Sequence, residues 1–164
     1  IADGWLPLGL VPENFDTYKP WIEAGLKKAG KSADNFECQA MSNVVITDDV
    51  KAGLDQMKPG IALYVGGMGH KSKNFHKEMM IRRGFGEAAN RIQELYLAKR
   101  KDEAVAAVPD EFVDQGALIG DRARIQKRFR DWENSGITGL TITGNEDALR
   151  MMAEVARLNV EPGV

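Results

Sequence analysis

The order of apolar and polar positions divides the chain into strand–helix units. The opening run Ile1-Ala2-Asp3-Gly4-Trp5-Leu6-Pro7-Leu8 reads as the end of a buried strand, Ala2–Leu8, closed by Pro7 and Gly9. Nothing caps it from the front, so it is expected inside a sheet whose other members come from elsewhere. Tyr18, Trp21, Ile22, Gly25, Leu26 and Ala29 recur at three- and four-residue spacing and predict a helix over Asn14–Ala29, stopped by Gly30. Phe36–Thr47 predicts a second strand. Its Val44-Val45-Ile46 is apolar on both faces, as in a parallel strand covered on both sides. Ile125, Phe129 and Trp132 form another helical stripe, Gly136 ends it, and Gly139–Thr143 predicts a third strand. Asn145 is then placed to cap a last helix. Glu146 and Asp147 occupy its first turn, where negative charge meets the positive end of the helix dipole, and Leu149, Met152, Val155 and Ala156 form its inner face.

Between the second and third strands lie about 90 residues, far more than a usual connection. Helical patterns appear there at Val50–Met57, Lys73–Arg83, Gly86–Lys99 and Asp102–Val108, the last ended by Pro109. Alternating strands and helices give a parallel sheet. A doubly wound sheet would place G-x-G-x-x-G behind a strand, and neither of the first two strands has it, which favours a barrel. A complete (β/α)8 barrel takes roughly 250 residues; this chain has 164. The expected fold is α/β, a single domain over 1–164 forming the C-terminal portion of such a barrel, with a helical insertion at about 50–120 before the last strand. The missing N-terminal barrel half, or a second copy of the chain, is expected to cover the open strand edges.

Composition narrows the function classes. The net charge of -2 supplies no basic field for nucleic acid, and no apolar run reaches the length of a membrane span. A single cysteine, Cys38, rules out an internal disulfide and reads as a buried, inert thiol in a cytoplasmic protein. His70 and His76 stand six apart with no carboxylate cluster, so no metal site is expected. No nucleophile elbow is present either.

Barrel chemistry gathers where strands end. That points first to Trp5, Leu6, Pro7 and Leu8: Trp5 is either a flat platform beside a planar ring or a core filler. The second candidate is Tyr64-Val65-Gly66-Gly67-Met68-Gly69-His70-Lys71-Ser72-Lys73. Its glycines and positive side chains either hold an anion or make a tight connection between two helices. The third is Asp110–Gln115, in which Asp114 or Gln115 could hydrogen-bond a polar substrate.

Three segments carry a resemblance: IADGWLPLGLVPENF, YVGGMGHKSKNFHKEMMIRRGFGEAA and VPDEFVDQGALIGDRARIQKRFRDWENSGITGLTIT. Together they resemble the luciferase-like monooxygenase superfamily over essentially the whole chain, and most of all its branch that uses the deazaflavin coenzyme F420. The resemblance implies an oxidoreductase that passes hydride between F420 and a small organic substrate at the barrel mouth. The alternatives are an FMN-dependent monooxygenase of the same fold and a non-catalytic half-barrel. It also implies a cofactor contact at Trp5, Leu6, Pro7 and Leu8, and a substrate contact at Asp114 and Gln115. Gly67 and Met68 are assigned with the cofactor, and His70 and Lys71 with the substrate. A sugar-phosphate-oxidising branch carries a basic residue in the first loop; Leu8-Gly9-Leu10 has none, so glucose 6-phosphate is not expected as substrate.

Overall fold

A computed structural model describes residues 2–158; Ile1, which opens the first apolar run, lies outside them. Backbone contacts divide the chain into two compact units, 1–50 with 117–164, and 51–116.

The first unit is a parallel sheet with helices against one face. Its elements are β1 (Gly4–Trp5), α1 (Phe15–Ala29), β2 (Glu37–Ile46), β3 (Ala117–Gly120), α7 (Arg122–Glu133), β4 (Gly139–Thr143) and α8 (Glu146–Val155). The ten-residue β2 is the organiser. β1 pairs with its start, at Gly4↔Glu37 and Trp5↔Cys38. β4 pairs with it from Gln39↔Gly139 to Asn43↔Thr143, and β3 from Asn43↔Ala117 to Ile46↔Gly120. Asn43 therefore has a neighbour on each side. All pairings are parallel, as the strand–helix alternation requires.

β2 alternates strictly. Cys38, Ala40, Ser42 and Val44 are buried, and with them pack Leu140 and Ile142 of β4, Leu118 of β3, Tyr18 of α1, Ile125 and Trp132 of α7, and Met151, Met152 and Val155 of α8. Glu37, Met41 and Asn43 on the other face are exposed. The sequence predicted cover on both faces from Val44-Val45-Ile46, but Val45 on the open face is only half-buried and Ile46, at the strand end on the Val44 face, is 44% exposed. Three further expectations are corrected here. The opening strand shrinks from Ala2–Leu8 to two residues, since Pro7 lacks the N–H that a ladder needs. Trp21 and Leu149, read as inward, are 64% and 44% exposed. Ala117–Gly120 forms a strand that the sequence pattern does not announce, ending directly before Asp121, the N-cap of α7. Its four residues are all buried and follow a helix with no loop between, so neither periodicity nor turn residues announce it.

The helix ends follow their caps. Gly30 takes the left-handed conformation (φ 64°) at the end of α1. The Asn145 side chain accepts the Ala148 N–H at 2.9 Å, and Asp121 accepts the Arg124 N–H at 2.7 Å.

The second unit is all helical: α2 (Val50–Gly67, beginning one residue earlier), α3 (Phe75–Arg82), α4 (Gly86–Leu97), α5 (Lys101–Ala106) and α6 (Asp110–Gly116). α2 runs ten residues past the predicted end at Met57, through Pro59. The buried Lys58 ammonium joins it to α6, pairing with Asp55 at 2.9 Å and with Asp110. At the far end of α2 the buried Asn74 donates to the carbonyls of Tyr64 and Val65 and accepts the Lys77 N–H, closing one helix and opening the next.

Candidate functional site

In a (β/α) barrel the working end is the carboxyl end of the strands. In the first unit that end comprises Leu6–Leu8 after β1, Thr47–Asp49 after β2, Asp121 after β3 and Gly144–Glu146 after β4. The cavity of about 220 Å³ lined by Asp3, Leu26, Lys31, Ser32 and Phe36 lies at the opposite, amino end, where Lys31 pairs with Asp3 at 2.6 Å. It therefore belongs to the side of the sheet that holds the fold together.

Trp5 stands level with Cys38, on the helix side of the sheet, and its ring meets Tyr18 edge-on at 5.2 Å between centroids. Tyr18 in turn meets the exposed Trp21 at 5.6 Å. Leu6 and Leu8 just beyond are 60% and 54% exposed, with Pro7 between them half-buried. The strand end is thus anchored by Trp5 and presents two apolar side chains to solvent.

The open face of β2 and β4 is the feature that sequence reasoning missed. Its rows are Gln39 with Gly139, Met41 with Thr141, and Asn43 with Thr143. Met41 is 58% exposed, and Asn43, Thr141 and Thr143 are exposed as well. The Gln39 amide lies over Gly139, where an added Cβ would sit 2.3 Å from it. Two-residue alternation from Glu37 to Asn43 could have found this face, had the apolar run after it not dominated the reading.

The remaining candidates lie in the helical unit. Gly66 and Gly67 belong to the last turn of α2, and a Cβ on either would come within 2.4–2.5 Å of the Tyr96 side chain on α4. Close helix contact accounts for these two glycines. Met68, Gly69, His70 and Lys71 are exposed in the turn that follows. His70 Nδ1 lies 2.7 Å from Ser72 Oγ and accepts the Ser72 N–H, while the Lys71 carbonyl accepts from Gln93 Nε2. Asp114 and Gln115 are half-buried on α6. Gln115 Oε1 accepts from Arg83 at 3.0 Å, and the Arg83 guanidinium also donates to the Phe112 carbonyl and lies 4.0 Å over the Phe112 ring. Lys71 is thus tied to α4 through its carbonyl, His70 is held by Ser72 within the turn, and Gln115 is held by Arg83.

Two groups have displaced acidities for simple reasons. Burial pushes the Cys38 thiol up, which keeps it protonated and unreactive. Burial also lowers the pKa of His76, whose ring meets that of Tyr64 at a tilt of 44°, 4.6 Å between centroids. Among the described residues no three His, Cys, Asp or Glu side chains gather to hold a metal ion, and no helix is long and apolar enough to cross a membrane.

Known proteins share this arrangement. A Mycobacterium tuberculosis protein named as a coenzyme F420-dependent oxidoreductase is 37% identical over 156 residues, which is 93% of this chain and 45% of that protein. The 5,10-methylenetetrahydromethanopterin reductase of Archaeoglobus fulgidus is 27% identical over 143 residues, 84% of this chain and 41% of the reductase. The solved structure of the coenzyme F420-dependent tetrahydromethanopterin reductase from Methanopyrus kandleri superposes with a TM-score of 0.70 at 22% identity, over 94% of this chain and 44% of the reductase. The chain therefore spans less than half the length of these relatives, and its fold is part of a (β/α)8 barrel. The luciferase-like monooxygenase model matches residues 1–139, and the chain belongs to that family.

Proposed function

We propose that this chain forms the C-terminal part of a coenzyme F420-dependent oxidoreductase acting on a small organic substrate. The observation that carries this reading is the 37% identity to a relative named for that cofactor, over nearly the whole chain. The residues suit the group. A planar heterocycle needs apolar surface for its faces and hydrogen-bonding partners for its polar edge, and the carboxyl end of the sheet offers exposed Leu6 and Leu8 beside a polar sheet face. When bound, the deazaflavin would supply hydride transfer; the protein supplies position and electrostatics.

In this reading Leu6, Pro7 and Leu8 contact the cofactor, and Trp5 fixes the strand end behind them through Tyr18. Within the helical unit Gly67 and Met68 are assigned to the cofactor, and His70, Lys71, Asp114 and Gln115 to the substrate. The insertion is taken as 51–116, carried by one barrel domain. The missing strands come from the N-terminal half of a longer protein, or from a second copy. A cytoplasmic location accords with the buried, protonated Cys38. FMN is the second reading, favoured by the family's monooxygenase description.

Titrating the full-length protein with F420 and with FMN, followed by fluorescence and absorbance, tests the proposal. Saturable F420 binding is expected. Saturation with FMN alone would transfer the assignment to the flavin, and binding of neither would overturn it.

A further inference from the structure

We propose that Asn43, Thr141 and Thr143 form a polar floor that hydrogen-bonds the carbonyl and N–H edge of a flavin-type ring. This rests on the reading above that the chain lines a cofactor-binding barrel, and it assigns ring contacts to residues that neither the resemblance nor the relatives' names indicate.

Register places these side chains together. Asn43 and Thr143 are direct neighbours across the β2–β4 ladder, and Met41 and Thr141 form the next row on the same face. Neighbouring strands lie roughly 4.8 Å apart, so an amide and a hydroxyl stand side by side, close enough to engage one planar edge. Asn43 and Thr143 are the last pair of the ladder toward the carboxyl end. Opposite alternation puts Ala40, Ser42 and Val44 into the helix-covered core, so the face has one possible orientation.

Chemistry then selects the ligand. The inner positions of such barrels are ordinarily filled by Val, Ile and Leu. Here three of the four side chains in the two rows are neutral hydrogen-bonding groups, and Met41 supplies the apolar contact. None of Asn43, Thr141 or Thr143 has a side-chain hydrogen bond to another described residue. Enclosed in a barrel without partners, each would be destabilising, because a buried polar group without a hydrogen bond loses its solvation. The pyrimidinedione edge shared by F420 and FMN alternates carbonyl, N–H and carbonyl. An amide, which donates and accepts, beside two hydroxyls, which do both, complements that alternation. A formally charged group would find no counter-charge in these rows.

The test uses the full-length protein with Asn43→Leu, Thr143→Val and Thr141→Val made singly, each titrated with F420 and with FMN by fluorescence, alongside the apo-protein melting temperature. The expected result is a dissociation constant raised about tenfold for Asn43→Leu, equivalent to about 1.4 kcal/mol, with a smaller rise for each threonine variant. The apo melting temperature should hold or rise, because unpartnered polar groups have been removed. Unchanged dissociation constants would overturn the floor, and a fallen melting temperature with them would make these residues structural filling. Wild-type protein binding FMN but not F420 would refute the coenzyme assignment while the variants still judge the floor on FMN. Binding of neither by the wild type would overturn both. Should Asn43→Leu fail to fold, the solvent-exposed Thr143→Val decides alone.

Discussion

Single residues in this protein are constrained mostly by how closely backbone approaches backbone. Gly66 shows it: a methyl group there would sit 2.4 Å from Tyr96 Cβ, so α2 and α4 would have to move apart to admit it. Gly66→Ala is expected to destabilise by about 1–3 kcal/mol, the usual cost of overpacking. Gly25 is the contrast, since nothing lies within 4 Å of its Cβ position and it occupies the exposed side of α1. Gly25→Ala should stabilise by about 0.5–1 kcal/mol through helix propensity and a less flexible unfolded chain. Urea denaturation of both variants reads the difference, and equal effects would refute the close-contact account. His76 supplies a pH dependence. Its folded-state pKa lies below the unfolded value of 6.5 because burial disfavours the charged ring. The unfolded state therefore binds more protons below that value, and stability falls as pH drops through the ordinary histidine range. His76→Phe keeps a ring against Tyr64 and should flatten that part of the stability–pH curve. An unchanged curve would remove His76 from the account.

Elements are held by a few polar fastenings at their ends. Asp121 caps α7 directly behind β3, so Asp121→Ala should cost about 0.5–2 kcal/mol, measured by thermal melting. In the helical unit Lys58 joins α2 to α6 through Asp55 and Asp110. Burial alone would lower its pKa, but the hydrogen bonds it donates to Asp110 and Asp55 outweigh this and hold it well above the ordinary lysine value of 10.5. The same contacts hold Asp55 and Asp110 below the usual carboxylate range, through their hydrogen bonds to Lys51 and Lys58. The lysine's contribution is thus complete below its unfolded pKa and is lost only in strong alkali. The carboxylates contribute above their unfolded values and lose that contribution on acidification. Lys58→Met, which keeps the stem and removes the charge, should abolish the alkaline loss and leave Asp55 and Asp110 with only the more exposed Lys51 between them. Hydrogen exchange in Val50–Gly67 is expected to accelerate in that variant, and unchanged exchange would mean the fastening is idle.

At the scale of the whole molecule the sheet has one face finished and one unfinished. Helices α1, α7 and α8 cover the first, while on the second Met41 of β2 remains 58% exposed, with Asn43, Thr141 and Thr143 exposed beside it. The chain expressed alone is expected to bind an apolar-surface dye, and Met41→Gln to reduce that binding; equal binding by the variant would place the sticky surface elsewhere. Cover for that face comes, on our reading, from the remaining strands of the barrel.

The sequence by itself determined α1, β2, β4 and the capped α8, because their apolar patterns are local and Gly30 stops α1, Gly136 separates α7 from β4 and Asn145 opens α8, each through backbone or side-chain preferences that act locally. The family was legible too, in three segments spread along the chain. Only the tertiary structure decided the rest. Ala117–Gly120 is a strand because Asn43–Ile46 lies beside it, a pairing across more than 70 positions that no local pattern encodes. α2 continues through Pro59 because contacts along its length, such as Lys58 with Asp110, outweigh one missing hydrogen bond. Trp5 faces the helices and Asn43 the open side for the same reason. Pairing register, a long-range property, assigns the faces, whereas residue type states only which faces a side chain could tolerate.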